Sequence, residues 1–200
     1  MKIFIVYAHP GGVEDSFTES VKNKFIEGLV EAGHEFIVSD LYKMGFVTDM
    51  SESEYFREVN LRTDLPVPPD VLAEQEKINS CDAIVFIYPL FWADVPAKLK
   101  GWFDRVWTFG FAYGENRSMK TLEKGLVVCV AGNTIEQIKN TGQYECVKAS
   151  MLTDRLFDRV KTKELIILDG ASKLDMDSRK YNLEKHLKNL FNAAVNLLGS

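Results

Sequence analysis

The fold is decided by the stretch Ala83-Ile-Val-Phe-Ile-Tyr88, which runs directly into Pro89-Leu-Phe-Trp-Ala-Asp-Val-Pro96. An unbroken run rich in Ile, Val and Phe indicates a strand that is buried on both faces, as in a parallel sheet covered by helices. Three other runs have the same character, namely Ile3–Ala8, Leu126–Ala131 and Glu164–Leu168. A core of buried parallel strands is therefore expected.

Helical patterns lie between these runs. Apolar residues recur at helical spacing over Phe17–Ala32, after a capping box formed by Ser16 and Glu19. Further helices are predicted over Asp70–Asn79, Pro96–Trp107 and Tyr144–Val160. A terminal helix carries one apolar face, made of Leu183, Leu187, Leu190, Phe191, Ala194 and Leu198. The pattern predicts one helix after each strand.

A further strand, Glu35–Ser39, is shorter and more polar, which places it at an edge of the sheet. Right-handed crossovers then put helices on both faces. The pattern predicts an α/β fold, a flavodoxin-like three-layer sandwich with a five-stranded parallel sheet of order 2-1-3-4-5. Residues 1–200 are expected to form a single domain, because no break in composition divides them. The connection Tyr42–Pro69 is long and shows little periodicity, as functional or disordered segments do.

The composition excludes several functional classes. The chain has a formal net charge of −5 and no basic stripe, which disfavours nonspecific binding to nucleic acid or to anionic membranes. No apolar run approaches the roughly 18 residues that span a bilayer. The cysteines, Cys81, Cys129 and Cys146, lack metal-binding spacing and indicate a reducing compartment. We expect a soluble, cytoplasmic protein with no metal site, no nucleic-acid partner and no membrane insertion.

In a parallel sheet of this order, ligands bind beyond the carboxyl ends of the strands, where the strand order reverses. The first loop there, His9–Ser16, leads into a capped helix whose free N–H groups can hold a phosphate. Glu14 and Asp15 oppose an anion, and the loop has no Lys or Arg. Neither GxGxxG nor the Walker pattern is present. Phosphate binding and simple helix capping by Ser16 are therefore both open.

The second loop, Tyr88–Pro96, carries three aromatic residues and two prolines, where a solvent-facing turn favours Gly, Asn and Asp. A rigid apolar loop with exposed N–H groups suits a flat ring with polar edges, such as isoalloxazine. The alternative is that Phe91 and Trp92 are core residues beneath a helix. The third loop, Ala131–Thr134, supplies small residues and amide donors after a buried strand.

Taken together, these loops resemble the NAD(P)H:quinone oxidoreductase (DT-diaphorase-like) branch of the flavodoxin-like proteins. The residues that carry the resemblance are Ile3–Pro10, Ser16-Phe17, Pro69–Gln75, Tyr88–Trp92, Pro96–Val106 and Gly110–Gly114. The resemblance implies a homodimer with one flavin, FAD or FMN, in each subunit. It also implies that a hydride passes from NAD(P)H to the flavin, and that two electrons then pass to a quinone or a similar small electrophile.

The resemblance also implies roles for particular residues. By position, the phosphate and ribityl part of the flavin would be held by His9, Ser16, Phe17 and Thr18. The isoalloxazine would be held by Pro89, Leu90, Phe91 and Trp92, with Gly132 and Asn133 at its pyrimidine edge. We expect main-chain donors from Gly132 to Thr134 to stabilise negative charge at that edge. The catalytic candidates are Trp92, Tyr144 as a hydroxyl donor, and Tyr113, which would wall the substrate pocket of the neighbouring subunit.

The chain departs from the family pattern at several positions. Thr18 stands where asparagine is common, and Val130-Ala-Gly-Asn133 replaces the usual Thr-Thr-Gly-Gly. The Tyr and His that quinone reductases place beyond that loop have no clear counterpart, with Ile138 near one position and Tyr144 near the other. Flavin binding is therefore better supported than efficient quinone reduction. The alternatives are an azo- or nitroreductase, a flavin-binding electron carrier, and a regulatory subunit of a transport system.

Overall fold

The computed structural model describes residues 1–11 and 16–197. Within them, five strands form one sheet: β1 (Lys2–Tyr7), β2 (Glu35–Asp40), β3 (Ala83–Pro89), β4 (Leu122–Val130) and β5 (Val160–Leu168). All of the pairings are parallel, and the order across the sheet is β2-β1-β3-β4-β5. The predicted order 2-1-3-4-5 is confirmed, with the polar second strand at an edge. Glu14 and Asp15 of the first loop and Leu198 of the predicted terminal helix lie outside the described residues.

Helices cover both faces of this sheet: α1 (Phe17–Glu31), α2 (Glu52–Val59), α3 (Pro69–Ser80), α4 (Ala97–Val106), α5 (Ile135–Asn140), α6 (Gln143–Lys148) and α7 (Met176–Val195). A π-helix, Ala149–Leu156, continues α6. In the part of the chain that the structure describes, every helix is too short or too polar to cross a bilayer.

Alternate residues of each strand face two separate cores. Ile5 of β1 packs in one core with Phe25 of α1, and the neighbouring Phe4 packs in the other core beside Trp102 of α4. Helices α1 and α7 lie so close together that a Cβ atom added at Gly28 would lie 2.7 Å from the Cβ of Ala194. The sheet is therefore buried on both faces, as its apolar runs predict.

Helix α2 was not predicted, and it lies inside the connection Tyr42–Pro69. Its buried residues are charged, Glu54 and Arg57, whereas its apolar residues Tyr55 and Phe56 are exposed. Apolar periodicity cannot reveal a helix whose inward face is charged. Glu54 instead accepts a hydrogen bond of 2.7 Å from the buried Arg105 of α4, so an ion pair fixes this helix on the core.

The expectation of one helix after each strand is wrong after β2 and after β4. Two helices, α2 and α3, follow β2, and α5, α6 and the π-helix follow β4. The predicted helix Tyr144–Val160 is wrong at its carboxyl end, because the π-helix ends at Leu156 and β5 already begins at Val160. Phe157, with φ of 31°, turns the chain out of the helix.

Candidate functional site

A cleft of about 220 Å³ opens at the carboxyl edge of the sheet. It brings together eight residues that the sequence predicts for the site, namely His9, Ser16, Phe17, Thr18, Pro89, Leu90, Phe91 and Gly132. Its remaining lining residues are Val130, Ala171, Lys173 and Arg179. The end of β1, the start of α1 and the loops after β3, β4 and β5 therefore converge on one space.

One end of the cleft is polar and is organised by His9. Its Nδ1 accepts a hydrogen bond of 3.1 Å from the N–H of Gly11, and its Nε2 lies 3.2 Å from the Oγ of Ser16. Because Nδ1 is an acceptor, the proton of the neutral ring lies on Nε2, which donates to Ser16. Burial lowers the pKa of His9 below its usual value, which also favours the neutral ring.

Ser16 caps α1, which confirms the half of the predicted capping box in which the serine accepts, whereas the return bond from the Glu19 side chain stays a prediction. Its Oγ accepts a hydrogen bond of 3.3 Å from the N–H of Glu19. That oxygen thus accepts from both His9 and Glu19, so the hydroxyl hydrogen of Ser16 is left to donate elsewhere. The N–H groups of Phe17 and Thr18 belong to the first turn of α1, where N–H groups have no acceptor within the helix. This end of the cleft can therefore offer several donors to an anion.

Two cationic residues at this end of the cleft were not predicted from the sequence. Lys173 and Arg179 follow β5, and the guanidinium of Arg179 lies over the ring of Phe17 at 5.5 Å. The Nε of Arg179 donates to the carbonyl of Ala171 at 3.2 Å, and the side chain is only 6% exposed. The three loops that the sequence predicts for the site do not include the loop after the last strand. The feature of the sequence that could have indicated them is the presence of a Lys and an Arg shortly after the carboxyl end of β5.

The other end of the cleft is apolar and is formed by the loop after β3. The N–H of Leu90 donates to the carbonyl of Val130 at 2.8 Å, which ties the loop to the end of β4. Phe91 and Asp94 then exchange two main-chain hydrogen bonds, of 3.0 and 2.9 Å, and close a tight turn. Trp92 and Ala93 at its tip have φ of 51° and 63°, in the left-handed region that favours glycine. The Trp92 side chain is fully exposed, so it is not a core residue.

Five predicted residues do not line this cleft. Trp92 points out beside it, and Asn133 accepts a hydrogen bond of 3.1 Å from the N–H of Gly170 through its carbonyl. Thr134 caps α5 by accepting from the N–H of Gln137. The remaining two are tyrosines, and the roles assigned to all five stay predictions.

Tyr144 lies on α6, where the ammonium of Lys139 sits 5.6 Å from its ring centre. Tyr113 lines a different cavity of about 330 Å³ beside Arg155 and Arg159. Its hydroxyl donates to Glu58 at 3.0 Å, and burial together with the charge of Glu58 raises the pKa of Tyr113 to about 12. Within one chain, therefore, these tyrosines are separate from the cleft.

A family model and a solved structure each match nearly the whole chain. A family model described as flavodoxin-like fold matches residues 1–191. Among solved structures, the chain is similar to an NAD(P)H:quinone oxidoreductase from Methanothermobacter marburgensis. The two share 44% identity at a TM-score of 0.89, and the match covers 99% of this chain and 96% of the other.

Curated relatives match over shorter stretches. NAD(P)H dehydrogenase (quinone) 1 of Rattus norvegicus is 36% identical over 125 residues, which is 56% of this chain and 45% of the relative. Ribosyldihydronicotinamide dehydrogenase (quinone) of Homo sapiens is 34% identical over 160 residues, which is 70% of this chain and 68% of the relative. The match thus spans about half the length of the first of these two relatives.

Proposed function

The chain belongs to the flavodoxin-like fold family, in its NAD(P)H:quinone oxidoreductase branch, and we propose that it is a flavin-dependent oxidoreductase. In this proposal it passes two electrons from NAD(P)H to a quinone or a similar small electrophile. One observation carries the proposal. A single cleft joins a helix N-terminus and two cations at one end to an apolar loop with aromatic side chains at the other. That arrangement matches a molecule with a phosphate at one end and a flat ring at the other.

The polar end fits the phosphate of a flavin nucleotide. The hydroxyl hydrogen of Ser16 and the first N–H groups of α1 are donors, and the positive end of the helix dipole faces the same space. Arg179 and Lys173 add positive charge at this end of the cleft. The neutral His9 holds Ser16 in place through its Nε2–H.

The apolar end fits the ring. Pro89, Leu90 and Phe91 line the cleft there. Gly132 also lines it and leaves room, because among the described residues an added Cβ would approach Ser172 alone, at 4.0 Å. A bound flavin supplies the redox chemistry, since it can take a hydride from a nicotinamide and give two electrons to another acceptor. The chain's own contribution is to orient the planar reactants and to exclude water from them. We assign that contribution to Phe91 and Trp92, with main-chain donors of Gly132–Thr134 at the polar edge of the ring.

The cofactor is FAD or FMN. Lys173 and Arg179 favour a ligand with more than one phosphate charge, which is compatible with the diphosphate of FAD. The monophosphate of FMN would use the Ser16 end of the cleft alone. Release of the cofactor followed by chromatography distinguishes the two.

We further propose that residues 1–200 form one flavin-binding domain that works as a homodimer in the cytoplasm. A fully exposed Trp92 beside a half-exposed Phe91 favours a partner surface over the ring end of the cleft. Tyr113 would be supplied to that end by the second subunit, because it lies away from the cleft of its own chain. The free thiols of Cys81, Cys129 and Cys146 are in keeping with a reducing compartment.

The test is an absorption spectrum of the purified protein, followed by anaerobic addition of NADH or NADPH. We expect a flavin band near ~450 nm that bleaches when the nicotinamide is added, since bound flavin is the hydride acceptor. A yellow protein that does not bleach would identify a carrier or a regulatory subunit of a transport system. A colourless protein that also fails to bind added FMN or FAD would rule out the proposal. Turnover with azo or nitro compounds in place of quinones would make it a reductase of those acceptors.

A further inference from the structure

The turn Phe91–Asp94 adopts a costly backbone conformation at the place where Trp92 must be held. Trp92 and Ala93 both have φ in the left-handed region, although neither is glycine. Such conformations persist only where the surrounding structure imposes them, and they are concentrated at functional sites. Trp92 itself does not impose the conformation, because its side chain is fully exposed and is therefore not packed against the described part of the chain. The constraint must come from another part of the molecule.

Besides the two main-chain hydrogen bonds that close the turn, Arg155 contacts it from a distant part of the chain. Its Nη1 donates to the Oδ1 of Asp94 at 2.9 Å, and the same oxygen accepts from the N–H of Val95 at 2.7 Å. The carboxylate of Asp94 therefore joins the last residue of the turn to a side chain of the π-helix, 61 positions further along the chain. Partial burial raises the pKa of Asp94, but the hydrogen bonds from Arg155 and Val95 outweigh this effect and lower it. The carboxylate is charged at neutral pH.

Arg155 is itself fixed on several sides. It is 7% exposed, its guanidinium lies over the ring of Phe103 at 4.9 Å, and its Nη1 also lies 3.2 Å from the Sδ of Met151. Its carbonyl accepts a hydrogen bond of 2.8 Å from the Nε1 of Trp107. A buried arginine with its backbone and its head both held is a rigid support, unlike an ion pair between two exposed side chains.

The π-helix explains how this arginine reaches the turn. Arg155 lies on Ala149–Leu156, the wide helix after α6, and wide turns of this kind are frequent at functional sites. Arg159, four positions further along the chain, donates to the carbonyl of Ala112 at 2.9 Å, immediately before Tyr113. The same segment thus supports the turn that carries Trp92 and the loop that carries Tyr113.

We propose that Arg155 is a positioning residue, which holds Trp92 at the ring end of the cleft by anchoring the turn through Asp94. The anchor is the hydrogen bond between Arg155 and Asp94, which the chain makes by itself. The role of this anchor in binding the nicotinamide or the acceptor rests on the function proposed above. Arg155 touches none of the reacting groups and acts only through Asp94.

The anchor is tested by amide hydrogen exchange in the full-length protein, with the same cofactor content in every variant. Asp94→Asn keeps an acceptor for the Val95 N–H but removes the charge, and Arg155→Met removes the other partner while keeping an apolar stem over Phe103. We expect the N–H groups of Phe91 and Asp94 to exchange at least about 10-fold faster in each variant, because loss of a charge-assisted hydrogen bond opens the turn locally. The double variant should exchange no faster than either single variant, because both remove the same interaction.

The matched control is Arg117→Met, which removes an arginine–aspartate pair with Asp158 elsewhere on the chain. It should leave exchange at Phe91 and Asp94 unchanged. Rates within about twofold of the parent in both Asp94→Asn and Arg155→Met would overturn the proposal, since an anchor that matters must change local opening. If Arg155→Met does not fold, Asp94→Asn alone decides the outcome.

A kinetic measurement separates this proposal from the proposed function. If both hold, Asp94→Asn raises the KM for the nicotinamide or for the acceptor more than it lowers kcat, because Trp92 is displaced while the chemistry is intact. Adding Ala93→Gly to Asp94→Asn should recover most of that loss, since glycine adopts the turn without an anchor. Faster exchange in a protein that never oxidises NAD(P)H would leave the anchor established and remove the proposed function alone. Unchanged exchange in an active reductase would remove the anchor and leave the proposed function established.

Discussion

At the polar end of the cleft, His9 and Ser16 are seven positions apart in sequence and lie on a strand end and a helix start. At the ring end, Asp94 is held by Arg155, which lies 61 positions further along the chain. The hydrogen-bond donors of the polar end follow from local structure, because a parallel strand followed by a capped helix already directs N–H groups into the cleft, and its two cations alone come from the segment after β5. The ring end depends on packing of distant segments. One cleft therefore combines a site that secondary structure creates with a site that tertiary structure creates.

The two ends also differ in backbone strain. Polar groups at the His9 end are paired with each other in ordinary geometry. At the other end, Trp92 and Ala93 occupy left-handed conformations although neither is glycine, and the Trp92 side chain is exposed. Affinity for a cofactor should therefore depend mainly on the polar end. The value of kcat/KM should depend mainly on the strained end.

The largest expected effect is at the polar end, with Arg179→Met. This change removes a buried cation from the cleft while keeping an apolar side chain over Phe17. We expect the Kd of the flavin to rise about 10- to 100-fold, because a charge-assisted hydrogen bond or ion contact to phosphate is lost. Titration of cofactor-free protein with FMN and with FAD, followed by flavin fluorescence, measures the change.

The control for this prediction is Lys180→Met, on the next residue of α7, whose side chain is exposed. It should leave the Kd within about twofold of the parent, as surface charges usually do. A circular dichroism melt of both variants shows whether Arg179→Met remains folded. Equal effects of the two substitutions would mean that general charge, and not the cleft, determines cofactor affinity.

The next effect is at the ring end, with Trp92→Ala. The side chain is fully exposed, so its removal should change the free energy of unfolding by less than about 0.5 kcal/mol. We expect kcat/KM to fall about 3- to 10-fold, because a planar reactant loses an aromatic surface on which to pack. Tyr55→Ala, which removes another exposed aromatic side chain on α2, is the control. Unchanged flavin affinity together with unchanged turnover would show that Trp92 has no role in the site.

A smaller effect is expected from His9 at the polar end, on the pH dependence of the free energy of unfolding. Burial lowers its pKa in the folded protein, partly opposed by Glu19 and Asp40, so protonation favours the unfolded chain. The stability that it contributes is complete above its unfolded pKa of about 6.5 and is lost as the pH falls through the lower folded pKa. We expect the parent, compared with His9→Asn, to lose free energy of unfolding as the pH falls below about 6.5. Urea denaturation at several pH values measures the difference.

The same variant should weaken flavin binding about threefold at neutral pH, since Ser16 loses the donor that holds it. His9→Gln, which can place an amide donor near the position of Nε2, should retain more affinity than His9→Asn. If both variants keep the pH dependence of the parent, another group is responsible for it.

The contrast between the two ends also explains how much of the molecule could be predicted from its sequence. The strands were recognised because apolar runs report burial directly, and His9, Ser16 and Phe91 followed from their places at strand ends. Helix α2 escaped because its buried face is Glu54 and Arg57, which are paired with groups far away in the sequence. No local pattern contains such a partner.

Arg179 and Arg155 were missed for related reasons. Arg179 reaches the cleft because the chain turns sharply after β5, at Gly170 with φ of 67°, and starts α7 beside α1. Arg155 faces Asp94 because a π-helix changes the spacing at which side chains recur, so a search for helical periodicity misplaces it. Residues that act across the fold are found only when the fold is known.

The smallest expected effect tests the strain itself, with Ala93→Gly. Alanine at φ of 63° lies in the left-handed region, whereas glycine enters it without a steric penalty. Part of this gain is offset by the greater flexibility of glycine in the unfolded chain, so we expect the free energy of unfolding to rise by about 0.5–1 kcal/mol. The corresponding rise in Tm is about 1–4 °C for a chain of this length, within reach of calorimetry.

Ala97→Gly is the matched control. Ala97 is exposed in the first turn of α4 and gains nothing from glycine, so the Tm of this variant should fall. If Arg155 sets the position of Trp92, turnover of Ala93→Gly should match the parent despite the added freedom. A fall in Tm equal to that of Ala97→Gly would mean that the turn stores no strain, and the difference between the two ends would then rest on charge alone.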